Sequence, residues 1–490
     1  MSMGLKKKFG SLREFAVSAF KNILGAFYDI EKHERLKVAL LTLTFFLIVA
    51  AYTVAKELKD SVFMHIVGKN YVPMAKWTFM LVLIPAIFVY SRLVDKMKRY
   101  QLLSFLSFSF GMVGLIFAFL LGHPTIGLAN TVASPDRLFG WFFYFFIEGY
   151  SPFVVSVFWA FANSINSPES AKKNYGAMVS GSKLGGVTSA GLAWYFLCQG
   201  GSDLACGISD SDITKHQLII GLASLCLLVV PLIVWALIRY VPARYLHGYE
   251  AVYQFEKQQD KEGKTETGMF SGITMFAKYP YVLGIFGMVF FYEVISTVLG
   301  FMRLEVAQAN AKSLSDVSGF LLEMSFMYHL AGVFIALFGT SALLKRLGER
   351  ICLILIPIIS GILLLYLMAS NASPYALMVA FVALKALNYA FSWPVRESLY
   401  IPTVKEIKFK SKSWIDAFGS KFAKSAGQAF NVMAARLGPG LFMPVHSFFF
   451  AILVGGWFGT ALLLGRRFDR AVANNEVIGA EAVVEIEAAS

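Results

Sequence analysis

The chain has 490 residues, of which 57% are hydrophobic and only 15% charged, and its net charge is +13. A soluble domain usually carries about 25% charged residues, and a globule needs a polar skin that this composition cannot supply. An ordinary soluble enzyme, a disordered chain and a coiled coil are therefore excluded, and the class is an all-α polytopic membrane protein.

Residues 1–36 hold Lys6, Lys7, Lys8, Arg13, Lys21, Lys32 and Arg35, with Leu5, Phe9, Leu12, Phe15, Phe20, Leu24 and Phe27 at helical spacing. This pattern reads as a cytoplasmic amphipathic segment, either lying in the membrane interface or packed as an extension of the protein. It has no apolar run ending in a small-residue cleavage site, so it does not read as a signal peptide.

A helix crosses a bilayer with roughly 20 apolar residues. That ruler places spans at 38–55, 76–93, 101–121, 139–163, 176–198, 217–239, 279–300, 318–340, 351–368, 374–392, 414–436 and 445–465. The hydrophilic stretch 240–278, with Glu256, Lys257, Asp260, Lys261, Glu262 and Lys264, follows the sixth span. The expected organisation is a six-helix bundle over 37–239, a cytoplasmic linker over 240–278, a second bundle over 279–466 and a tail over 467–490. With both ends inside, the cytoplasmic segments between these spans hold 29 Lys and Arg and the outer loops hold 7. That asymmetry is the positive-inside rule, and it accounts for the basic balance without nucleic acid. The basic hinges Ser91–Arg99 and Ser341–Arg350 fall at matching places in the two halves. Two related six-helix bundles are the major-facilitator-like arrangement, with substrate at the midplane.

A charge in the hydrocarbon costs about 3 kcal/mol or more, so each intramembrane charge needs a partner or a wet cavity. Lys56, Glu57, Lys59 and Asp60 end the first span, Glu148 lies in the fourth and Lys183 in the fifth. Glu293 and Arg303 bracket the outer half of the seventh. Glu323 and His329 are on the eighth, Lys385 is on the tenth, and Arg436 ends the eleventh. Static ion pairs between helices are one reading of such residues. As a set, Lys56, Lys59, Lys183, Lys385 and Arg436 outnumber nearby acids and point to an anionic, phosphate-bearing passenger. No metal-ligand spacing, cofactor motif or catalytic constellation is visible. Phe418–Ser425 matches a phosphate-binding Walker loop in spacing only, because both required glycines are missing. Cys198 and Cys206 flank one loop and could pair if that loop faces an oxidising space.

Several segments resemble a known family. They are Glu57-Leu58-Lys59-Asp60-Ser61-Val62, Val154 to Asn163 with its Phe158-Trp159-Ala160-Phe161-Ala162-Asn163 core, Glu169 to Tyr175, Arg396 to Pro402, and Lys408 to Asp416. In this order they resemble the nucleotide transporter family, the ATP/ADP translocases of plastids and intracellular bacteria. The resemblance implies twelve helices, alternating access and ATP/ADP exchange or related nucleotide uptake, with no enzymatic activity and no cofactor. It implies transport roles for Lys59 and Glu148, for Lys410 or Lys412 in the loop before the eleventh helix, and for Lys385 with Asn388 beside it. Three features depart from the family pattern. Val298 stands where its seventh-helix Glu is expected, with Glu293 five residues earlier. Asn388 stands where a second Lys is common. The usual Gly-Lys-Ser-Gly-Gly stretch reads Ala423-Lys424-Ser425-Ala426-Gly427. The expectation is a monomeric carrier in a bacterial inner membrane with both termini cytoplasmic. The alternative is a major-facilitator-like, proton-coupled transporter of a non-nucleotide anionic metabolite.

Overall fold

The computed structural model describes residues 34–166, 168–199, 212–242, 279–338, 340–400, 402–403, 407, 411–412, 415–474 and 476–478. The amphipathic segment before residue 34, the linker over 243–278, Cys206 and Lys410 lie outside the described residues.

Backbone in lipid has no water to bond, so the apolar runs close their hydrogen bonds internally as helices. They are α1 (Arg35–Ile66), α2 (Val72–Lys96), α3 (Arg99–Leu121), α4 (Leu138–Tyr150) continuing into α5 (Ser156–Ile165), α6 (Pro168–Gln199) and α7 (Asp212–Tyr240). Next come α8 (Pro280–Asn310), α9 (Leu314–Phe338), α10 (Thr340–Ala369), α11 (Pro374–Leu387) continuing into α12 (Trp393–Ser398), α13 (Ser420–Ala434) and α14 (Pro439–Ala473). Among the described residues there is no strand, only an isolated bridge between Thr403 and Ile478. Nine helices among the described residues are long and apolar enough to cross a membrane. The remaining rods miss that measure for local reasons: α6 is rich in Ser, Gly and Lys, and α11 and α13 are short because non-α turns adjoin them.

One boundary differs clearly from the sequence expectation. The first span does not stop at residue 55; α1 runs to Ile66, so Lys56, Glu57, Lys59 and Asp60 sit within the helix. Hydropathy falls at these charges, but the backbone ladder does not need apolar side chains when the charges find partners inside the protein. The basic hinge Ser341–Arg350 does contain a break between two helices: α10 is interrupted at Gly348, with φ 74°, and a second helix runs on to Ala369. Only glycine takes that conformation without strain.

The chain divides into two compact units. Unit 1 is drawn from Met1–Gly68, Phe79–Lys264 and Lys312–Phe326; unit 2 from Lys69–Thr78, Thr265–Ala311 and Met327–Ser490. In unit 1 the buried core joins Leu41, Phe45 and Ile48 of α1 to Leu102 and Leu106 of α3, Phe158 of α5 and Leu227 and Val234 of α7. Phe45 stacks on Phe158 with ring centres 4.3 Å apart. α6 approaches α1 closely because Gly181 and Gly185 face it; a Cβ on Gly185 would lie 2.5 Å from the Phe46 carbonyl oxygen. Small residues let membrane helices meet backbone to backbone. In unit 2, the Tyr281 hydroxyl on α8 donates to the Leu399 carbonyl at 2.7 Å, and Phe430 of α13 stacks on Phe449 of α14. Large apolar side chains such as Phe119, Leu192, Leu365 and Phe448 are exposed, as lipid-facing positions must be.

Candidate functional site

In unit 1 the length of α1 decides the site. Its last three turns carry Lys56, Glu57, Lys59 and Asp60 in a stretch that is buried apart from Lys56. The Lys59 ammonium is 3% exposed, donates to Glu148 Oε2 at 2.5 Å and lies 3.3 Å from Asp60 Oδ1. It also sits 4.1 Å from the centre of the Tyr144 ring, one turn before Glu148 on α4. Burying an isolated ammonium is prohibitive, so this lysine depends on its partners. Glu148 is only half-buried, with its side chain 33% exposed. The pair is therefore closed on the lysine side and open on the carboxylate side. α4 is held against α1 beside it, where the Tyr150 hydroxyl donates to the Ile48 carbonyl at 2.8 Å. Two carboxylates, those of Asp60 and Glu148, surround this one ammonium.

In unit 2 a different cluster surrounds Lys385. Its ammonium lies 5.7 Å from the ring centre of Tyr292, 5.8 Å from Phe381 and 6.0 Å from Tyr389. Tyr328 of α9 adds a fourth ring, 6.4 Å from both Phe381 and Tyr389. Phe381, Lys385 and Tyr389 recur at i and i+4, which places them on one face of the tenth rod. Arg303 of α8, 4% exposed, holds its guanidinium 4.5 Å over Phe381. Ring faces attract cations through their quadrupoles, so the rings contribute to holding the ammonium.

The two rods share a local device. A π-helical turn, Ser151–Val155, starts three residues after Glu148, and another, Asn388–Ser392, starts three residues after Lys385. Such turns concentrate at functional positions because one extra residue widens the helix and redirects side chains. Pro152 and Pro394 contribute, since each lacks an N–H for the carbonyl four residues earlier. Asn388, 6% exposed, opens the second π turn. A third π turn, Ile415–Gly419, precedes α13.

The remaining candidates are dispersed. Lys56, one-third exposed, is 4.0 Å from Glu57 Oε1. Lys183 is half-buried on α6, between the two glycines that meet α1. Glu293 accepts from the Ser420 hydroxyl at 3.2 Å and pairs with Lys424 at 3.7 Å, so it faces α13. Val298 is fully buried further along α8. Lys412 donates to Glu397 at 2.6 Å and sits 5.6 Å from the Tyr400 ring centre. Arg436 is exposed beyond the end of α13. Cys198 is an exposed free thiol. Tyr144, Asp60, Tyr292, Tyr328, Glu397 and Lys424 belong to these clusters but were not singled out as site residues from sequence. Asp60 lies inside the Glu57–Val62 segment and Lys424 inside the Ala423–Gly427 stretch, so for these two the sequence carries a signal. The aromatic residues carried none, because 15% of the chain is aromatic.

Comparison with known proteins gives a consistent result. The family model described as TLC ATP/ADP transporter matches residues 14–437. The ADP,ATP carrier protein 1 of Chlamydia trachomatis serovar D is 23% identical over an alignment of 527 residues, covering 98% of this chain and 96% of that one. The chloroplastic ADP,ATP carrier protein 2 of Arabidopsis thaliana is 22% identical, covering 82% of this chain and 69% of that one. Among solved structures, a D-xylose-proton symporter superposes with a TM-score of 0.63 at 15% identity, covering 88% of this chain and 97% of that one. At that identity the likeness shows a shared fold.

Proposed function

We infer, from the premise that this chain belongs to the TLC ATP/ADP transporter family, that it is a multi-pass membrane carrier that exchanges nucleotides by alternating access. The observation that carries the reading to particular residues is the buried Lys59 ammonium, closed in by Tyr144 and Asp60 and shared with the half-open Glu148. A phosphate group offers the same charge-assisted acceptors as a carboxylate, with more oxygens. In this reading phosphate oxygens replace Glu148 on Lys59, and Glu148 is released. Substrate then shifts the balance between two states only through its different affinity for them, and the exchange of partners on Lys59 supplies that difference. Within unit 2, Lys385 among its rings with Asn388 beside it, and Lys412 in its pair with Glu397 with Lys410 its neighbour in the motif, are assigned to anion binding. Lys56, Lys183, Glu293, Arg303 and Arg436 are assigned supporting roles. The two-bundle organisation with the linker over 240–278, a bacterial inner membrane and cytoplasmic termini complete the proposal; the positive-inside asymmetry supports that orientation.

The test is transport of labelled ATP, ADP, GTP and NAD into cells expressing the full chain, with and without internal nucleotide. Counter-exchange of at least one nucleotide is expected. No uptake and no exchange of any of them would remove the nucleotide reading. Uptake of a non-nucleotide anion driven by a proton gradient would put the alternative in its place.

A further inference from the structure

A second buried polar cluster in unit 1 lies just past Lys59 on α1. Asp212, the first residue of α7, caps the start of α9. Its Oδ2 accepts the N–H groups of Leu314 at 2.9 Å and Ser315 at 3.4 Å, and its Oδ1 accepts the Ser315 hydroxyl at 2.6 Å. One turn along α7, His216 is fully buried. Its Nδ1 lies 2.6 Å from the Asp212 carbonyl oxygen, which can only accept, so Nδ1 carries the hydrogen. Its Nε2 lies 2.7 Å from Ser318 Oγ on α9. Nε2 of the neutral ring accepts, so the Ser318 hydroxyl donates to it, and the Ser61 hydroxyl bridges Ser318 Oγ at 2.7 Å and the Leu58 carbonyl at 3.0 Å. Ser61 and Ser318 are 1% and 0% exposed, so both lie away from bulk solvent.

The chain of bonds thus runs from the backbone of α7 through α9 to the turn of α1 that holds Lys59 and Asp60. Buried polar networks fix a unique arrangement when every member is satisfied, and they fail together when one is removed. A network that only braced the fold could lie anywhere. This one ends on Ser61, next to Asp60, and its last acceptor is the carbonyl of Leu58, next to Lys59.

We propose that Asp212, His216, Ser318 and Ser61 are positioning residues that form a latch on the end of α1. The latch keeps the Glu57–Ser61 stretch closed and Lys59 aimed at Glu148. Its release opens that stretch and lets the ammonium change partners. The latch therefore governs the rate of the carrier cycle and the openness of this end of α1, and affects substrate affinity little.

The test uses the full chain with Val62→Cys as a reporter, because Val62 is fully buried beside Ser61. A membrane-impermeant maleimide is applied without substrate, and modification at that cysteine is followed by peptide mass mapping. Without substrate, the result stands apart from the nucleotide reading. Ser318→Ala and His216→Ala are each expected to raise the labelling rate by about fivefold, as for the loss of one net hydrogen bond from a two-state equilibrium. His216→Gln, which keeps an amide near the Nε2 position, is expected to restore part of the protection. In exchange assays the maximal rate of Ser318→Ala should change at least about threefold while its apparent affinity stays within about twofold. Unchanged labelling in both alanine variants overturns the latch. So does lower thermal stability with parental labelling and parental rates, which would leave the network as bracing alone.

Discussion

The two lysine clusters hold a cation in opposite ways. In unit 1, Lys59 is held by two carboxylates and one ring, with little access to solvent. In unit 2, half-buried Lys385 sits among the rings of Tyr292, Phe381 and Tyr389. The rods that carry Glu148 and Lys385 each place a charge three residues before a π turn, but the charges have opposite sign. A carboxylate must be displaced before an incoming anion can take its lysine, whereas a ring stays in place and continues to attract the ammonium. In the proposed carrier cycle, unit 1 would therefore act as a switch and unit 2 as a standing anion site.

The contrast can be broken most sharply at Lys59. Lys59→Met leaves Asp60 and Glu148 facing a gap, and unpairing a buried ion pair costs about 3–5 kcal/mol. The solvent access of Glu148 moves the expected loss to the low end of that range. Thermal unfolding should show it, together with at least about a hundredfold loss of exchange; parental stability would show that the pair is not buried as described. Lys385→Met is expected to lose about tenfold in apparent nucleotide affinity, or about 1.4 kcal/mol. Its stability should stay within about 1 kcal/mol of the parent, because methionine fills an aromatic cage well. Stability losses of equal size in the two variants would erase the distinction between the units. The smallest effect is expected at Lys424→Ala. Its partner Glu293 is mostly buried, but Lys424 itself is 52% exposed, and exposed pairs contribute about 0–1 kcal/mol. A large loss of transport without a loss of stability there would move Glu293 into the working site.

Much of the fold was legible because lipid imposes a simple rule. Runs such as Arg99–Leu121 and Asp212–Tyr240 are apolar almost throughout, and the spans expected at 101–121 and 217–239 fall inside them. The rule failed where charges satisfy one another. Hydropathy ends the first span at residue 55 because it counts Lys56 to Asp60 as polar, and Glu148, the partner of Lys59, lies 89 residues away. Glu148 itself was legible as an acid in an unbroken apolar run. The π turns were not, since the bonding register of a helix leaves no trace in hydropathy. The rings around Lys385 were half legible. Phe381 and Tyr389 follow helical spacing, but Tyr292 and Tyr328 come from other helices that only the folded chain brings close. The His216 cluster was invisible for the same reason, with Ser318 lying 257 residues from Ser61.

The central claim is that Glu148 competes with substrate phosphate for Lys59. Equilibrium binding of labelled ATP to the purified full chain, compared with Glu148→Gln, tests it most directly. Removing the competing carboxylate while keeping its shape should tighten ATP binding several-fold and slow exchange. Glu148→Gln weakening ATP binding as severely as Lys59→Met would contradict the account, because Glu148 would then hold the substrate rather than yield to it.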